Sequence, residues 1–266
     1  MIGKTIQIPS LQEKKSFPFS FKELIEKERE QLRLYLRARK YERKEDIGGV
    51  AYIREQVKPG NIVFDIGAHK GGYLSIFLQQ LKGKGCVYAF EPQSVLYRYL
   101  ALISHLFDWR SLVLEPYAVS AETGKAVLSI PYNGGHPSSP CATIIESNMN
   151  FRISAREEVN TVSLDAYCSS QGIVPDFLKV DVEGNELSVF RGAENILRTC
   201  KPKILFECEA RFVGEAKVYE TFSFLQSLGY EGYFIRGAEL LPIKSFSVAT
   251  HQASTKGCYC NNFIFE

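Results

Sequence analysis

The segment Asn61–Leu78, NIVFDIGAHKGGYLSIFL, joins a short β-branched strand to a helix through a glycine-rich turn. The strand pattern ends at Asp65 and Gly67, and Gly71 and Gly72 precede the helical part. Glycines at such positions let the backbone turn tightly and approach a ligand closely. In an open parallel sheet, this junction lies at the carboxyl end of a strand, where ligands bind. The segment therefore predicts a ligand site beside the first strand of an α/β sheet.

The rest of the chain alternates apolar strands with helices, which predicts a doubly wound, Rossmann-like parallel sheet. Further strands are expected at Cys86–Phe90 and at residues 111–120, 176–184 and 201–209; helices are expected at Tyr73–Leu81, Ser94–Phe107, Asn185–Leu197 and Val218–Leu228. Two last strands, at residues 231–240 and 261–266, follow with little helix between them. They predict an antiparallel edge.

Composition divides the chain into an N-terminal helical extension, residues 1–48, and a main domain, residues 49–266. The extension carries interleaved charges and an apolar stripe, which we interpret as the face that packs on the domain; a partner-binding, membrane-surface or homodimer helix is the alternative. The stripe consists of Phe21, Leu24, Ile25, Leu32, Tyr35 and Leu36. Residues 123–160, rich in Gly, Pro and Ser, predict an inserted hairpin followed by a long loop, and loops of this length are usually either functional lids or disordered.

Charge and cysteine content limit the partners and the compartment. The net charge of +2 gives no electrostatic reason to expect nucleic acid or an anionic membrane as a partner. No apolar run is long enough to span a bilayer, and the N-terminus lacks the apolar core of a secretory signal. The seven cysteines include no CxxC pair, which indicates neither a disulfide framework nor a zinc site. We expect a reduced, cytoplasmic protein.

Two carboxylates indicate the ligand. Glu91 follows the second predicted strand, where a carboxylate accepts both hydroxyls of a ribose. Asp65, just before the glycine turn, would repel a pyrophosphate but favour the ammonium group of S-adenosylmethionine. His69 also stands where a nicotinamide dinucleotide loop has its second glycine. The pattern favours S-adenosylmethionine as the cofactor, with a nicotinamide-dependent oxidoreductase as the alternative.

At this point the motifs VFDIGAHKGGY, AFEP, VSLDAY and FLKVDVEGNELSVFRGA resemble the FkbM family of methyltransferases. The ending NNFIFE is similar to the closing strand of that family, and the resemblance covers roughly residues 50–265. It implies a class I methyltransferase fold, with seven strands of which the last is antiparallel. It also implies O-methyl transfer to a hydroxyl of a sugar or another small molecule. His69 stands where the family usually has Asn.

The predicted cofactor site combines the strand ends. Ala118 and Val119 follow the third strand and are expected beside the adenine, whereas Tyr73 is expected either to pack on the cofactor or to be a core aromatic. The full predicted set is Asp65, Gly67, Ala68, His69, Tyr73, Glu91, Pro92, Ala118, Val119 and Asp181.

Catalysis is expected at the end of the strand FLKV. Asp181 is the candidate general base or the residue that orients the acceptor hydroxyl. Lys179 lies on the same face but deeper, so its ammonium group needs Asp65, Asp181 or Glu207 as a partner. His136 is a second candidate base if the insert folds over the pocket, with an exposed loop histidine as the alternative.

Two alternatives to this catalytic assignment stay open. Asp181 could instead join Glu207 or Glu209 in holding a divalent cation such as Mg²⁺, or these carboxylates could serve only to neutralise Lys179. A catalytically silent binding module also remains an alternative, and no motif identifies the acceptor.

Overall fold

The computed structural model describes residues 21–134, 141–145, 152–253 and 259–266, and this part of the chain contains eleven strands in two sheets. The strands are Ile62–Ile66 (β1), Cys86–Phe90 (β2), Leu112–Glu115 (β3), Tyr117–Val119 (β4), Gly124–Pro131 (β5), Ile153–Val162 (β6), Phe177–Val180 (β7), Lys203–Glu207 (β8), Gly232–Arg236 (β9), Glu239–Pro242 (β10) and Asn262–Phe265 (β11).

Helices cover both faces of the larger sheet, as its strands require because they are buried on both sides. They are Phe21–Lys40 (α1), Ile47–Gln56 (α2), Gly72–Leu81 (α3), Ser94–Phe107 (α4), Leu164–Gln171 (α5), Glu186–Arg191 (α6), Glu194–Thr199 (α7), Ala210–Val213 (α8), Glu215–Ser227 (α9) and Val248–His251 (α10). A π-helix, Tyr41–Glu45, joins α1 to α2, and a 3₁₀ turn, Ile243–Ser245, follows β10. None of the described helices is both long and apolar enough to cross a membrane.

The larger sheet has the order β10-β9-β11-β8-β7-β1-β2-β3. Neighbouring strands run parallel across β8, β7, β1, β2 and β3, whereas β11 is antiparallel to both of its neighbours, β8 and β9. The doubly wound α/β class and the antiparallel last strand are therefore confirmed. The sheet has eight strands rather than seven, because β10 folds back on β9 at the edge. Since β11 (NFIF) is buried along its whole length, it lies inside the sheet and not at the predicted antiparallel edge.

Two predicted elements are each divided in the structure. The strand expected at residues 111–120 is β3 and β4, which belong to different sheets and are separated by Pro116. Proline has no N–H to donate to a strand ladder, so the pairing changes there. The helix expected at Asn185–Leu197 is α6 and α7, separated near Gly192. A Cβ on Gly192 would lie 2.1 Å from the Ser120 carbonyl oxygen, because the two backbones touch at this point.

The segment 123–160 forms most of the smaller sheet, in which β6 pairs antiparallel with β5 and parallel with β4. A bridge between Ser129 and Thr143 holds part of the segment that follows β5. His136 lies outside the described residues. Because β4 directly follows the carboxyl end of β3, the smaller sheet adjoins the carboxyl edge of the larger sheet.

Helix α1 packs on the domain through a different face from the predicted one. Ile25, Leu32, Tyr35 and Leu36 of the predicted stripe are exposed, and the side chains of Phe21 and Leu24 lie outside the described residues. The buried face carries Glu30, Leu34 and Ala38 instead. The prediction was wrong because it counted only large apolar residues, whereas a small alanine and a paired glutamate also allow close packing. Glu30 pairs with Arg33 and also accepts the Tyr99 hydroxyl over 2.6 Å.

Candidate active site

The turn after β1 lies against the ends of both neighbouring strands. The N–H groups of Gly67 and Ala68 donate to the Phe90 carbonyl at the end of β2, over 3.0 and 3.1 Å. Gly67 has φ +88°, and a Cβ there would lie 1.9 Å from the Asp181 carbonyl oxygen, just after β7. A side chain at position 67 would therefore separate β1 from β7 at the carboxyl edge of the sheet.

Glu91 is held rigidly at the end of β2. One carboxylate oxygen accepts the His69 N–H over 2.7 Å, and the other accepts the Gln93 N–H over 2.8 Å. Burial raises the pKa of Glu91 to about 8, although these two hydrogen bonds oppose the shift. Each oxygen keeps a further lone pair, so the carboxylate can still accept the two hydroxyls of a ribose. The acceptor oxygens at this position fit the two hydroxyls of the ribose of S-adenosylmethionine.

A pocket beside Glu91 brings most of the predicted cofactor residues together. It is lined by Gly67, His69, Glu91, Pro92, Ala118, Val119 and Asp181. Leu128 of β5 adds to the apolar wall that Ala118 and Val119 form. Such a wall, opposite a hydrogen-bonding carboxylate, suits a nucleoside with its base on the apolar side.

Other lining residues were not identified from the sequence. Gln93 and Asn185 belong to the motif regions after Glu91 and Asp181, so proximity in sequence could have indicated them. The Asn185 side-chain amide donates to the Val119 carbonyl over 3.1 Å and so fixes the end of β4. Residues 142–144 of the insert also line the pocket, and no sequence pattern predicts this because it depends on the bridge to β5.

Four predicted residues lie behind this pocket rather than on its wall: Asp65, Ala68, Tyr73 and Lys179. Ala68 is part of the core. Asp65 lies between Ala89 and Lys179 in the register of the sheet. Its Oδ2 atom is buried without a hydrogen-bond partner among the described residues. Burial raises the pKa of Asp65 to about 7, against the lowering effect of Lys179.

Lys179 is buried among several carboxylates. Its Nζ lies 3.4 Å from Asp181 Oδ2 and 4.7 Å from the centre of the Tyr73 ring. Burial lowers the pKa of Lys179, but the carboxylates of Asp181 and Glu207 outweigh burial and raise it above its usual value. The structure therefore supplies Lys179 with partners that the sequence had indicated, and Lys179 stays charged.

Tyr73 is enclosed by residues of the N-terminal helices. Its hydroxyl donates to Asp46 Oδ2 over 2.5 Å, and its ring stacks on Tyr41 with 4.6 Å between ring centres. A Cβ on Gly72 would lie 2.3 Å from the Tyr41 ring. Gly72 therefore makes room for Tyr41, whereas the sequence interpretation assigned it to close approach of a ligand. Tyr41 and Asp46 lie in a segment that carries no recognisable motif, so neither could be predicted as a neighbour of Tyr73.

Further acidic residues surround Asp181. Burial, followed by the charge of Asp181, raises the pKa of Glu183 and of Glu207 well above the usual range. Glu209 is paired with Arg211 over 2.6 Å and accepts the Tyr259 hydroxyl. Within the described ranges, no group of three or more His, Cys, Asp or Glu residues is placed to hold a metal ion.

Comparison with known proteins identifies the family. The model of the methyltransferase FkbM domain matches residues 65–231. The crystal structure of methyltransferase FkbM from Methylobacillus flagellatus KT is 15% identical, with a TM-score of 0.52, and the match covers 82% of this chain and 50% of that chain. This protein thus spans half the length of that relative. No curated protein matches the sequence.

Two further solved structures are similar at low identity. A putative rRNA-methylase from Clostridium thermocellum is 9% identical with a TM-score of 0.49, and the match covers 82% of this chain and 92% of that chain. Fibrillarin from Aeropyrum pernix, solved with natively bound S-adenosyl-L-methionine, is 14% identical with a TM-score of 0.46, and the match covers 82% of this chain and 72% of that chain.

The family model matches more than half of this chain, and the sheet order and the motifs around Asp65 and Asp181 agree with it. The chain therefore belongs to the FkbM family of S-adenosylmethionine-dependent methyltransferases.

Proposed function

We propose that this protein is an S-adenosylmethionine-dependent O-methyltransferase that acts on a hydroxyl group of a small molecule or sugar. The observation that carries the proposal is the pocket in which Glu91 and Asp181 line opposite sides of the turn at Gly67. The cysteine content, with no CxxC pair, favours the cytoplasm as the place of action.

The chain's own residues would hold the cofactor through two kinds of contact. Glu91 accepts the ribose hydroxyls, and Ala118, Val119 and Leu128 provide an apolar surface for the adenine. Asp65 lies behind the pocket and does not contact the cofactor directly. Residues 142–144 of the insert line the same pocket.

Asp181 is the proposed general base. S-adenosylmethionine, when bound, supplies an electrophilic methyl group on a sulfonium centre. The Asp181 side chain keeps 28% of its surface exposed, so an acceptor can reach it, whereas Lys179 behind it is only 1% exposed. Lys179 orients the carboxylate through the 3.4 Å contact. Asp181 would then accept the proton of the acceptor hydroxyl and hold that oxygen in line.

Calorimetric titration with S-adenosylhomocysteine, with NAD alongside, tests the proposal. We expect micromolar binding of S-adenosylhomocysteine, about −8 kcal/mol, and no binding of NAD. Glu91→Ala removes the hydrogen bonds to the two ribose hydroxyls, of about 0.5–1.5 kcal/mol each, and should weaken binding by about 5- to 100-fold. Glu194→Ala, at an exposed acidic position on α7, is the matched control and should bind like the wild type.

Two outcomes would contradict the proposal. Binding of NAD in place of S-adenosylhomocysteine would indicate the nicotinamide-dependent alternative. A folded protein that binds neither compound would indicate a catalytically silent methyltransferase-like module.

A further inference from the structure

Helix α1 carries a contiguous apolar face that no described residue covers. This outer stripe consists of Ile25, Leu32, Tyr35 and Leu36, which are 43–57% exposed and belong to none of the described core clusters. They are four of the twelve large apolar residues that are exposed in the described part of the chain. Scattered exposed apolar residues are ordinary, whereas several on one element mark an interaction surface.

The outer stripe lies on the side of α1 that faces away from the domain. At about 100° per residue, its four members fall within an arc of about 100°. The buried residues Glu30, Leu34 and Ala38 lie on the opposite side of the helix. The Arg39 guanidinium lies over the Tyr35 ring, 5.7 Å from its centre, and so holds this ring in the outer stripe. The helix therefore has two separate packing faces, of which only one contacts the domain.

A groove of about 560 Å³ runs beside the outer stripe and shares Tyr35 with it. Phe107 and Trp109 line the groove and stack on each other, with 5.5 Å between ring centres. Leu34 and Leu78 add aliphatic surface, and most of the remaining lining residues are polar. The groove thus extends the apolar surface from α1 onto the domain. An apolar patch bordered by polar residues is the usual composition of a protein–protein interface.

The charges of α1 indicate which partner fits the outer stripe. Residues 22–30 contain four glutamates and three basic residues, a net charge of −1, whereas residues 31–40 contain four basic residues and no acidic one, a net charge of +4. Two copies of α1 packed in parallel would place the two basic halves together. Packed antiparallel, each basic half faces the acidic half of the other copy, and the helix dipoles also oppose each other favourably. The helix is therefore complementary to itself about a two-fold axis.

Leu32 marks the crossing point of such a pair, because it stands near the middle of the outer stripe. With a rise of about 1.5 Å per residue, Glu28 lies about 6 Å before the crossing and Arg39 about 10 Å beyond it. In an antiparallel pair, Glu28 of one copy and Arg39 of the other therefore come within one helical turn. Long side chains bridge such a distance, so each pair has two of these contacts.

We propose that this protein forms a homodimer in which the outer stripe of α1 packs antiparallel against the outer stripe of a second copy. The proposal is independent of the proposed function, because no residue that lines the cofactor pocket takes part. One helix face and the adjoining groove make an interface near the low end of the usual range, about 1,200 Å² in total, so we expect a dissociation constant in the micromolar range.

Sedimentation equilibrium of the full chain at about 1–100 µM tests the association, because dimerisation depends on concentration. Leu32→Glu places two carboxylates at the crossing point and should raise the dissociation constant at least tenfold. Val174→Glu changes an exposed valine in the loop before β7, and this control should dimerise like the wild type. A dimer that Leu32→Glu leaves unchanged would overturn the proposal. So would a wild type that stays monomeric throughout, which would assign the outer stripe to residues 1–20 or to a different partner.

Unfolding at a concentration far below the dissociation constant separates dimerisation from folding. The protein is then monomeric, and substitutions in the outer stripe should leave its free energy of unfolding nearly unchanged. An equal free energy for Leu32→Glu and the wild type would support the proposal, because the variant then loses only the dimer. A large loss of stability in the monomer would overturn it, because the outer stripe would then pack within the chain.

A charge exchange tests the antiparallel arrangement. Glu28→Arg and Arg39→Glu should each weaken the dimer by about 3- to 30-fold, because each creates two like-charge contacts across the two-fold axis. An equal mixture of the two variants should associate nearly as well as the wild type, because both contacts in the mixed dimer then join opposite charges. A mixture that associates no better than either variant alone would overturn the antiparallel pairing.

Discussion

At the scale of single residues, burial shifts the pKa values of the site's carboxylates more than pairing with other charged groups does. Asp65 and Glu91 are both carboxylates at strand ends, and burial raises their pKa values to about 7 and about 8. Lys179 lies close to Asp181, and the negative charges of Glu207, Asp46 and Asp65 also act on its ammonium group. Because several carboxylates share this ammonium group, part of the negative charge is removed by proton uptake instead. The site therefore holds protons near neutral pH.

The pH dependence of stability should reveal the proton on Asp65. In the folded protein, the pKa of Asp65 is raised from the usual value of 3.8 to about 7. The folded protein therefore binds this proton more tightly than the unfolded chain does. The free energy of unfolding should therefore fall as the pH rises through this window, by up to about 1.4 kcal/mol per pH unit for this group, and then level off. Urea denaturation between pH 4 and pH 8 measures the slope.

The variant Asp65→Asn has no group to titrate, so its slope should be smaller by nearly one proton. Asp108→Asn, at an exposed aspartate, provides the control and should keep the slope of the wild type. An equal slope in Asp65→Asn and the wild type would show that Asp65 is ionised throughout this range.

At the scale of elements, the start of α3 is shaped by the segment that packs on it. Tyr41 lies in the π-helix and stacks on Tyr73, and its ring occupies the space beside Gly72. π-helical turns often mark functional positions, since they place one side chain out of the regular helical repeat. Here the turn directs Tyr41 to the face of the sheet that holds Lys179.

Gly72→Ala should therefore destabilise the protein by about 1–3 kcal/mol, because the added methyl group overpacks against Tyr41. Chemical denaturation measures the change, and Gly124→Ala is the control because a Cβ there meets only Thr161 Oγ1 at 3.8 Å. Combining Gly72→Ala with Tyr41→Ala should recover part of the loss, since the two positions are in contact. Strict additivity of the two changes would show that the contact with Tyr41 is not the cause.

At the scale of the whole molecule, the N-terminal helices belong to the same core as the sheet. Leu34 and Ala38 of α1 join a core that also includes Val63 of β1, Phe177 of β7 and Leu205 of β8. The face of the sheet that carries Asp65 and Lys179 is thus closed by residues that precede the family match at residue 65. We infer that the extension folds together with the methyltransferase domain.

Leu34→Ala should lower the free energy of unfolding by about 2–5 kcal/mol, as expected for a buried leucine that is 5% exposed. Leu36→Ala, two positions away and 56% exposed, should change it by less than about 0.5 kcal/mol. Denaturant titration of the two full-length variants gives both changes in the free energy of unfolding. The opposite order, with Leu36 the costly position, would mean that α1 packs through the stripe predicted from the sequence.

Local signals in the sequence were enough to locate the strand ends that carry the proposed cofactor site. Asp65, Gly67, Glu91 and Asp181 were predictable because apolar periodicity and glycine turns are local signals, and a parallel sheet gathers strand ends at one edge. The same reasoning predicted the antiparallel last strand, β11.

Which surfaces enclose these residues depends on tertiary packing. Tyr41 and Asp46 reach Tyr73, Thr143 lines the cofactor pocket, and Asn262 lies inside the sheet with an unpaired oxygen. Each of these features depends on packing between segments far apart in the chain, and a short polar or aromatic residue carries no local signal of its distant neighbour. The carboxylate proposed to bind the ribose could thus be predicted from strand ends, whereas the surroundings of Lys179 and Asp181 depend on helices that only the folded chain brings against the sheet.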